Sequence, residues 1–124
     1  MTDLLDTSVL LGGVPDDVVS GSISVATLAE LHFGLRRPAA PAELRVRRLR
    51  LTRAQQLFAT LPVDAAVAES WGALAAHTAA RGRQPRRRAM DLLIAATAQV
   101  HGLTLLTRDE DLLQLADVLD VRRV

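Results

Sequence analysis

Five acids in this chain stand where they could act together: Asp6, Glu30, Asp91, Asp109 and Asp111. Asp6 follows an apolar pair, Leu4-Leu5, and precedes Thr7-Ser8. Glu30 sits in the helix-forming stretch after a second apolar run. Asp91 opens the segment Leu92 to Ala98, apolar nearly all round, and Asp109 and Asp111 follow Leu103-Thr104-Leu105-Leu106-Thr107. Carboxylates crowded at one place repel one another, which costs stability unless a cation lies among them. The chain has no cysteine, which excludes disulfides and cysteine-bound zinc, and His32 has no partner at ligand spacing. All-oxygen ligation points to Mg²⁺ or Mn²⁺. Such an ion can activate water and neutralise charge developing on a phosphodiester. Taken singly, each acid has a cheaper explanation. Asp6 can cap a turn by accepting backbone N–H bonds, and Thr27 with Glu30 fits the capping box S/T-x-x-E. A chemical role therefore depends on whether the fold brings the acids together.

The elements that would do so are legible from residue pattern. Arg88 to Asp111 reads as a buried helix, a stop at Gly102 and a short buried strand. Upstream, residues 2–6 read as a first strand, with Thr7 or Ser8 capping a helical turn up to Gly12-Gly13. Residues 22–25 read as a second strand, followed by a helix that Pro38 and Pro41 end. A long helix is expected from Glu43 to Leu61, a minimal third strand at Pro62-Val63, and Asp64 as the cap of an amphipathic helix over 65–80. Trp71 in that helix reads as a core anchor. Residues 81–88 form a loop, 109–115 a short helix, and 118–124 an edge strand. Short strands alternating with helices predict an α/β fold, a short-stranded parallel sheet flanked by helices. Ligands in such sheets bind beyond the carboxyl ends of the strands. With strands one and four adjacent, Asp6, Glu30, Asp91 and Asp109 can converge on that edge.

At 124 residues the chain is read as one domain over 1–124, able to bury a core without staples. No apolar run approaches the roughly 18–20 residues of a membrane span. The first residues lack a basic n-region and carry Asp3 and Asp6, so no signal peptide is expected and the expected location is cytoplasmic. A net charge of +1 conceals segregation: residues 36–53 hold seven arginines against Glu43 alone, and residues 81–88 hold five with no acid. Every basic residue apart from histidine is arginine, which suits bidentate phosphate contact. Arg86, Arg87 and Arg88 directly precede Asp91 and are the candidate RNA-contacting group. With two Phe, one Trp and no Tyr, a nucleic-acid grip would rest on charge and shape rather than base stacking.

Four blocks, LLDTSVLL, SVATLAELHFG, AMDLLIAATAQVHGLTLLT and TRDEDL, resemble those of PIN-domain ribonucleases, and in particular the VapC toxins of bacterial toxin–antitoxin pairs. The resemblance runs from first strand to last in the family's order. It implies a PIN-like α/β/α sandwich in which Asp6, Glu30, Asp91 and Asp109 hold Mg²⁺ or Mn²⁺. Asp111 matches a position that is often acidic and is counted with the metal-binding acids, helping through water, and Thr7, Ser8 and Thr107 match hydroxyls beside the site. The implied activity is cleavage of RNA by metal-activated water, leaving 5′-phosphate and 3′-hydroxyl ends. The implied partners are a second copy, as a homodimer, and a cognate VapB-type antitoxin whose C-terminal segment lies across the active-site groove. The connection from Asp6 to Glu30 is short for these toxins, and Leu112 replaces a common phenylalanine.

The alternative reading is a non-catalytic PIN-like module that binds RNA or protein through its arginine faces. The intact acidic quartet speaks against it. A receiver-type phosphotransfer domain would need a lysine, which is absent, and a DxD phosphatase would need a second aspartate where Ser8 stands.

Overall fold

Leu4 and Leu5 are both fully buried, yet they serve different cores, and that alternation organises the molecule. Successive strand side chains point to opposite faces of a sheet. Leu4 and Leu105 pack with Val67, Leu74, Leu92, Ile94 and Leu112 on one face. Leu5, Ile23 and Leu106 pack with Val9, Leu31, Leu51 and Phe58 on the other. Each such buried side chain contributes about 1.5–3 kcal/mol relative to exposure. The computed structural model describes residues 2–124. Its strands are β1 (Asp3–Leu5), β2 (Ser22–Ser24), β3 (Ala59–Leu61), β4 (Thr104–Thr107) and β5 (Val121–Arg123). They form one parallel sheet in the order β3-β2-β1-β4-β5. Helices cover both faces: α1 (Thr7–Gly12), α2 (Val25–Arg36), α3 (Pro41–Leu57), α4 (Ala65–Ala80), α5 (Ala89–His101) and α6 (Glu110–Leu113). This is the expected α/β/α sandwich.

The central pair is β1 and β4, in the register Asp3 to Thr104, Leu4 to Leu105 and Leu5 to Leu106. A further bond, Asp6 N–H to Leu106 O at 2.9 Å, carries the pairing one residue past β1. Asp6 and Thr107 therefore leave the sheet side by side at its carboxyl edge. The middle of helix α5 is covered all round, with Ile94, Ala95, Ala96, Thr97 and Ala98 without exposed surface, while Gln99, Val100 and His101 in its last turn are exposed. Gly102 ends it in the left-handed region at φ 64°, where a Cβ would be strained. α5 then feeds β4, so its first turn, with Asp91, lies at the edge where β4 finishes. α4 and α5 form an antiparallel hairpin, Ser70 early in α4 meeting Gln99 late in α5 at 2.6 Å. Trp71 anchors it as expected, its indole N–H donating to Ala89 O at 3.1 Å.

Three local expectations are corrected. The third strand is residues 59–61, not Pro62-Val63, and it shortens the long helix, which ends at Leu57. Pro41 opens that helix rather than closing the previous one, since a proline at N1 forfeits no helical bond. Helix α2 is capped by Ser24, whose hydroxyl accepts from Ala26 N–H at 3.0 Å, so Thr27 and Glu30 do not form a capping box. Among the described residues no helix is long and apolar enough to cross a membrane.

Candidate active site

Asp6 is 2% exposed, and its two oxygens have different surroundings. Oδ2 accepts from Ser8 Oγ at 2.7 Å, from Thr107 Oγ1 at 2.9 Å and from Ser8 N–H at 3.4 Å. Oδ1 is buried without a hydrogen-bond partner. Asp6, not Thr7 or Ser8, is thus the N-cap of α1. The capping role and a chemical role share one residue, because capping uses one oxygen only. The hydroxyl net continues outward: Ser8 Oγ accepts from Arg108 N–H at 2.9 Å, and Thr107 Oγ1 from Asp109 N–H at 2.9 Å. A buried acceptor without a partner costs about 1–3 kcal/mol, and more when charged. A cation removes that cost.

Glu30, in the second turn of α2, is held at the same edge by Thr7, whose hydroxyl donates to Oε1 at 2.7 Å. Thr7 Oγ1 also lies 3.1 Å from the fully buried Thr27 hydroxyl. Thr27 is therefore a buried hydrogen-bond partner behind Thr7. The order of elements explains the meeting: β1 and β2 are parallel neighbours, so the segments leaving them start from one edge.

Asp91 lies within reach of the charges of the other three acids. Its pKa is raised from 3.8 to about 6, first by burial and then by the negative charges of Asp6 and Asp109, with Glu30 adding to them and Arg88 opposing. Asp109 caps α6 through Oδ1, which accepts from Asp111 N–H at 2.9 Å. The structure thus gathers Asp6, Glu30, Asp91 and Asp109. Asp111 behaves differently. Its carboxylate accepts from Arg83 at 2.7 Å and from Arg88, and these bonds, that from Arg83 foremost, hold its pKa below the ordinary value.

The loop over 81–88 contains a 3₁₀ turn at Pro85–Arg88. Arg86 and Arg87 are exposed and carry no ion pair among the described residues. Arg88 turns inward, lying 3.1 Å from Asp91 Oδ2 and 3.8 Å from Asp109 Oδ1, and bonding Asp111. Residue types alone did not foretell that inward turn, although the i, i+3 spacing of Arg88 and Asp91 is a signal for the pair. Among the described residues no three acids or histidines stand close enough together to hold a metal ion as they are. Asp91 and Asp109 face a guanidinium instead. The donor set nevertheless fits a hard divalent cation: carboxylates only, one with a buried oxygen unsatisfied by protein. Beside Glu30 and Thr7 opens a cleft of about 290 Å³, lined also by Leu11, Phe33, Arg37 and Arg50. Sequence reading missed Phe33, which is 65% exposed there with Arg37 stacked 5.6 Å from its ring centroid.

The PIN domain family model matches residues 4–118 of the chain. The chain is 38% identical to ribonuclease VapC4 of Mycobacterium tuberculosis, over 93% of this chain and 92% of that protein. It is 37% identical to ribonuclease VapC5 of the same organism, over 87% of this chain and 83% of that one. Among solved structures it superposes on a chain of the Mycobacterium tuberculosis toxin–antitoxin complex VapBC-5 with a TM-score of 0.84. There the identity is 32%, and 99% of this chain and 97% of that one are covered.

Proposed function

The chain belongs to the PIN-domain family, and from that membership we propose an endoribonuclease toxin that hydrolyses RNA at the carboxyl edge of its sheet and is neutralised by a VapB-type antitoxin. The observation that carries this reading is Asp6, buried with one oxygen fully bonded and the other unsatisfied, at the point where Glu30, Asp91 and Asp109 converge.

In this reading Asp6, Glu30, Asp91 and Asp109 hold Mg²⁺ or Mn²⁺. An ion held there would supply an activated water and neutralise charge on the scissile phosphate. The remaining work falls to the chain's own groups. Ser8 and Thr107 fix Asp6 Oδ2 and so aim Oδ1 inward. Thr7 donates to Glu30 Oε1 and so orients that carboxylate. Asp91, with a pKa of about 6 in the metal-free protein, must give up its proton to serve as a ligand. Arg86 and Arg87, facing solvent beside the acids, are placed to take flanking phosphates. The cleft between Phe33 and Arg50 gives the antitoxin's C-terminal segment a place to lie against Glu30.

The test is cleavage of total cellular RNA by purified, antitoxin-free protein with Mg²⁺, Mn²⁺ or EDTA, beside Asp91→Asn. Discrete fragments that need metal and vanish in the variant, with 5′-phosphate and 3′-hydroxyl ends, are expected. Folded protein inert under every metal would make the domain a binding module.

A further inference from the structure

We propose that Arg88 is the resident counter-ion of the acidic centre and that Asp111 is its anchor, keeping hold of the arginine when a divalent cation claims Asp91 and Asp109. The proposal rests on the metal-centre reading above and adds what governs entry to that centre.

Arg88 is the one basic group that pairs with Asp91 or Asp109 among the described residues. It is largely enclosed, with 22% of its side chain exposed, and it reaches three acids from one fork. A guanidinium stays charged at any working pH and presents its donors in a plane. It can therefore offset the repulsion among the acids, but it cannot bind or activate water as a metal does. Arg88 and a divalent cation compete for the same carboxylates.

Asp111 is placed to settle where the displaced arginine goes. It binds Arg88 and also Arg83, so two arginines of the 81–88 segment converge on it. Both of its oxygens are taken by arginines, Oδ1 by Arg83 and Oδ2 by Arg88. Asp111 thus acts on the quartet through Arg88, as a positioning residue. In this proposal Arg88 releases Asp91 and Asp109 while its bond to Asp111 persists.

The experiment is Mn²⁺ titration by calorimetry of full-length, antitoxin-free protein at fixed salt, with melting temperatures measured in EDTA and in Mn²⁺. The variants are Arg88→Met, Arg88→Lys, Asp111→Asn and the Arg88→Met/Asp111→Asn double. Loss of two partly screened ion pairs should tighten Mn²⁺ binding in Arg88→Met by about five- to tenfold. The same variant should melt lower in EDTA and gain more from Mn²⁺ than the parent. Arg88→Lys, which keeps the charge without the fork, should fall between and serves if the methionine variant does not fold. Asp111→Asn should weaken Mn²⁺ binding where Arg88 is present and leave it unchanged where Arg88 is gone. Unchanged or weaker Mn²⁺ binding in both Arg88 variants overturns the counter-ion role. Equal weakening by Asp111→Asn in both backgrounds makes Asp111 a ligand and overturns its anchor role. No Mn²⁺ binding by the parent or any variant sinks the metal centre itself, and Arg88's role with it.

Discussion

Thr107 donates its hydroxyl proton to Asp6 Oδ2 at 2.9 Å, tying the carboxyl ends of β4 and β1 at the centre of the sheet. Thr107 Oγ1 in turn accepts from Asp109 N–H at 2.9 Å, so one side chain orients two of the four gathered acids. Thr107→Val keeps the shape and removes both bonds inside a fully buried position. We expect a loss of about 1–3 kcal/mol in urea unfolding, the cost of leaving buried polar groups unsatisfied. RNA cleavage should fall with it, and Thr107→Ser should restore both. A silent Thr107→Val would show that Ser8 alone suffices to hold Asp6.

Asp91 gives the metal-free protein an unusual pH dependence. Its folded pKa of about 6 lies above the ordinary 3.8, so the folded state binds a proton more tightly than the unfolded state. Stability from this residue is complete below about pH 4 and is lost as pH rises to about 6. The loss is at most about 3 kcal/mol, from a shift of roughly two units. In EDTA, Asp91→Asn should remove this decline and melt higher than the parent at neutral pH. Parallel melting curves for the two proteins from pH 4 to 7 would mean that Asp91 is not strained by its neighbours.

Much of this site could be read from sequence, because residues that neighbour one another in space here follow regular elements. Helix α4 begins and ends where its apolar spacing placed it, and Asp64 caps it by accepting from Val67 N–H at 3.0 Å. Gly102 turns the chain from α5 into β4 in the left-handed conformation its position required. Strand β3 was hidden for a physical reason. Its residues Ala59 and Thr60 are exposed at the edge of the sheet, so no alternation marks them, and Phe58 and Leu61 extended the apparent helix. Ser24 was overlooked as a cap because it ends a buried strand, where it also meets Thr97 at 3.1 Å. The inward turn of Arg88 depends on where α6 sets Asp109 and Asp111, which is tertiary information.

Arg86 and Arg87 test the nucleic-acid face without touching the acids. Both are exposed and unpaired among the described residues, so Arg86→Ala/Arg87→Ala should leave the melting temperature unchanged. Binding of a single-stranded RNA should weaken, and its log–log salt slope should drop by roughly 1.4, about 0.7 for each phosphate no longer neutralised. Fluorescence anisotropy at several salt concentrations reads both. An unchanged slope would remove these arginines from the RNA-contacting surface.

Thr7 separates placement of an acid from its presence. Its hydroxyl donates to Glu30 Oε1 at 2.7 Å, and its backbone begins α1 directly after Asp6. Thr7→Val fills the same space but leaves Glu30 free to swing toward solvent, where a partly exposed carboxylate is readily hydrated. Stability should fall by about 1–3 kcal/mol, because the fully buried Thr27 hydroxyl loses its partner as well. Cleavage, compared at a temperature where both proteins are folded, should also fall by about tenfold or greater, since a misplaced group loses the advantage of orientation. Thr7→Ser should recover most of the rate. Steady-state cleavage of a short RNA, with melting temperatures on the same samples, distinguishes the two effects. A Thr7→Val protein as active as its parent would show that Glu30 needs no hydroxyl to reach its working position.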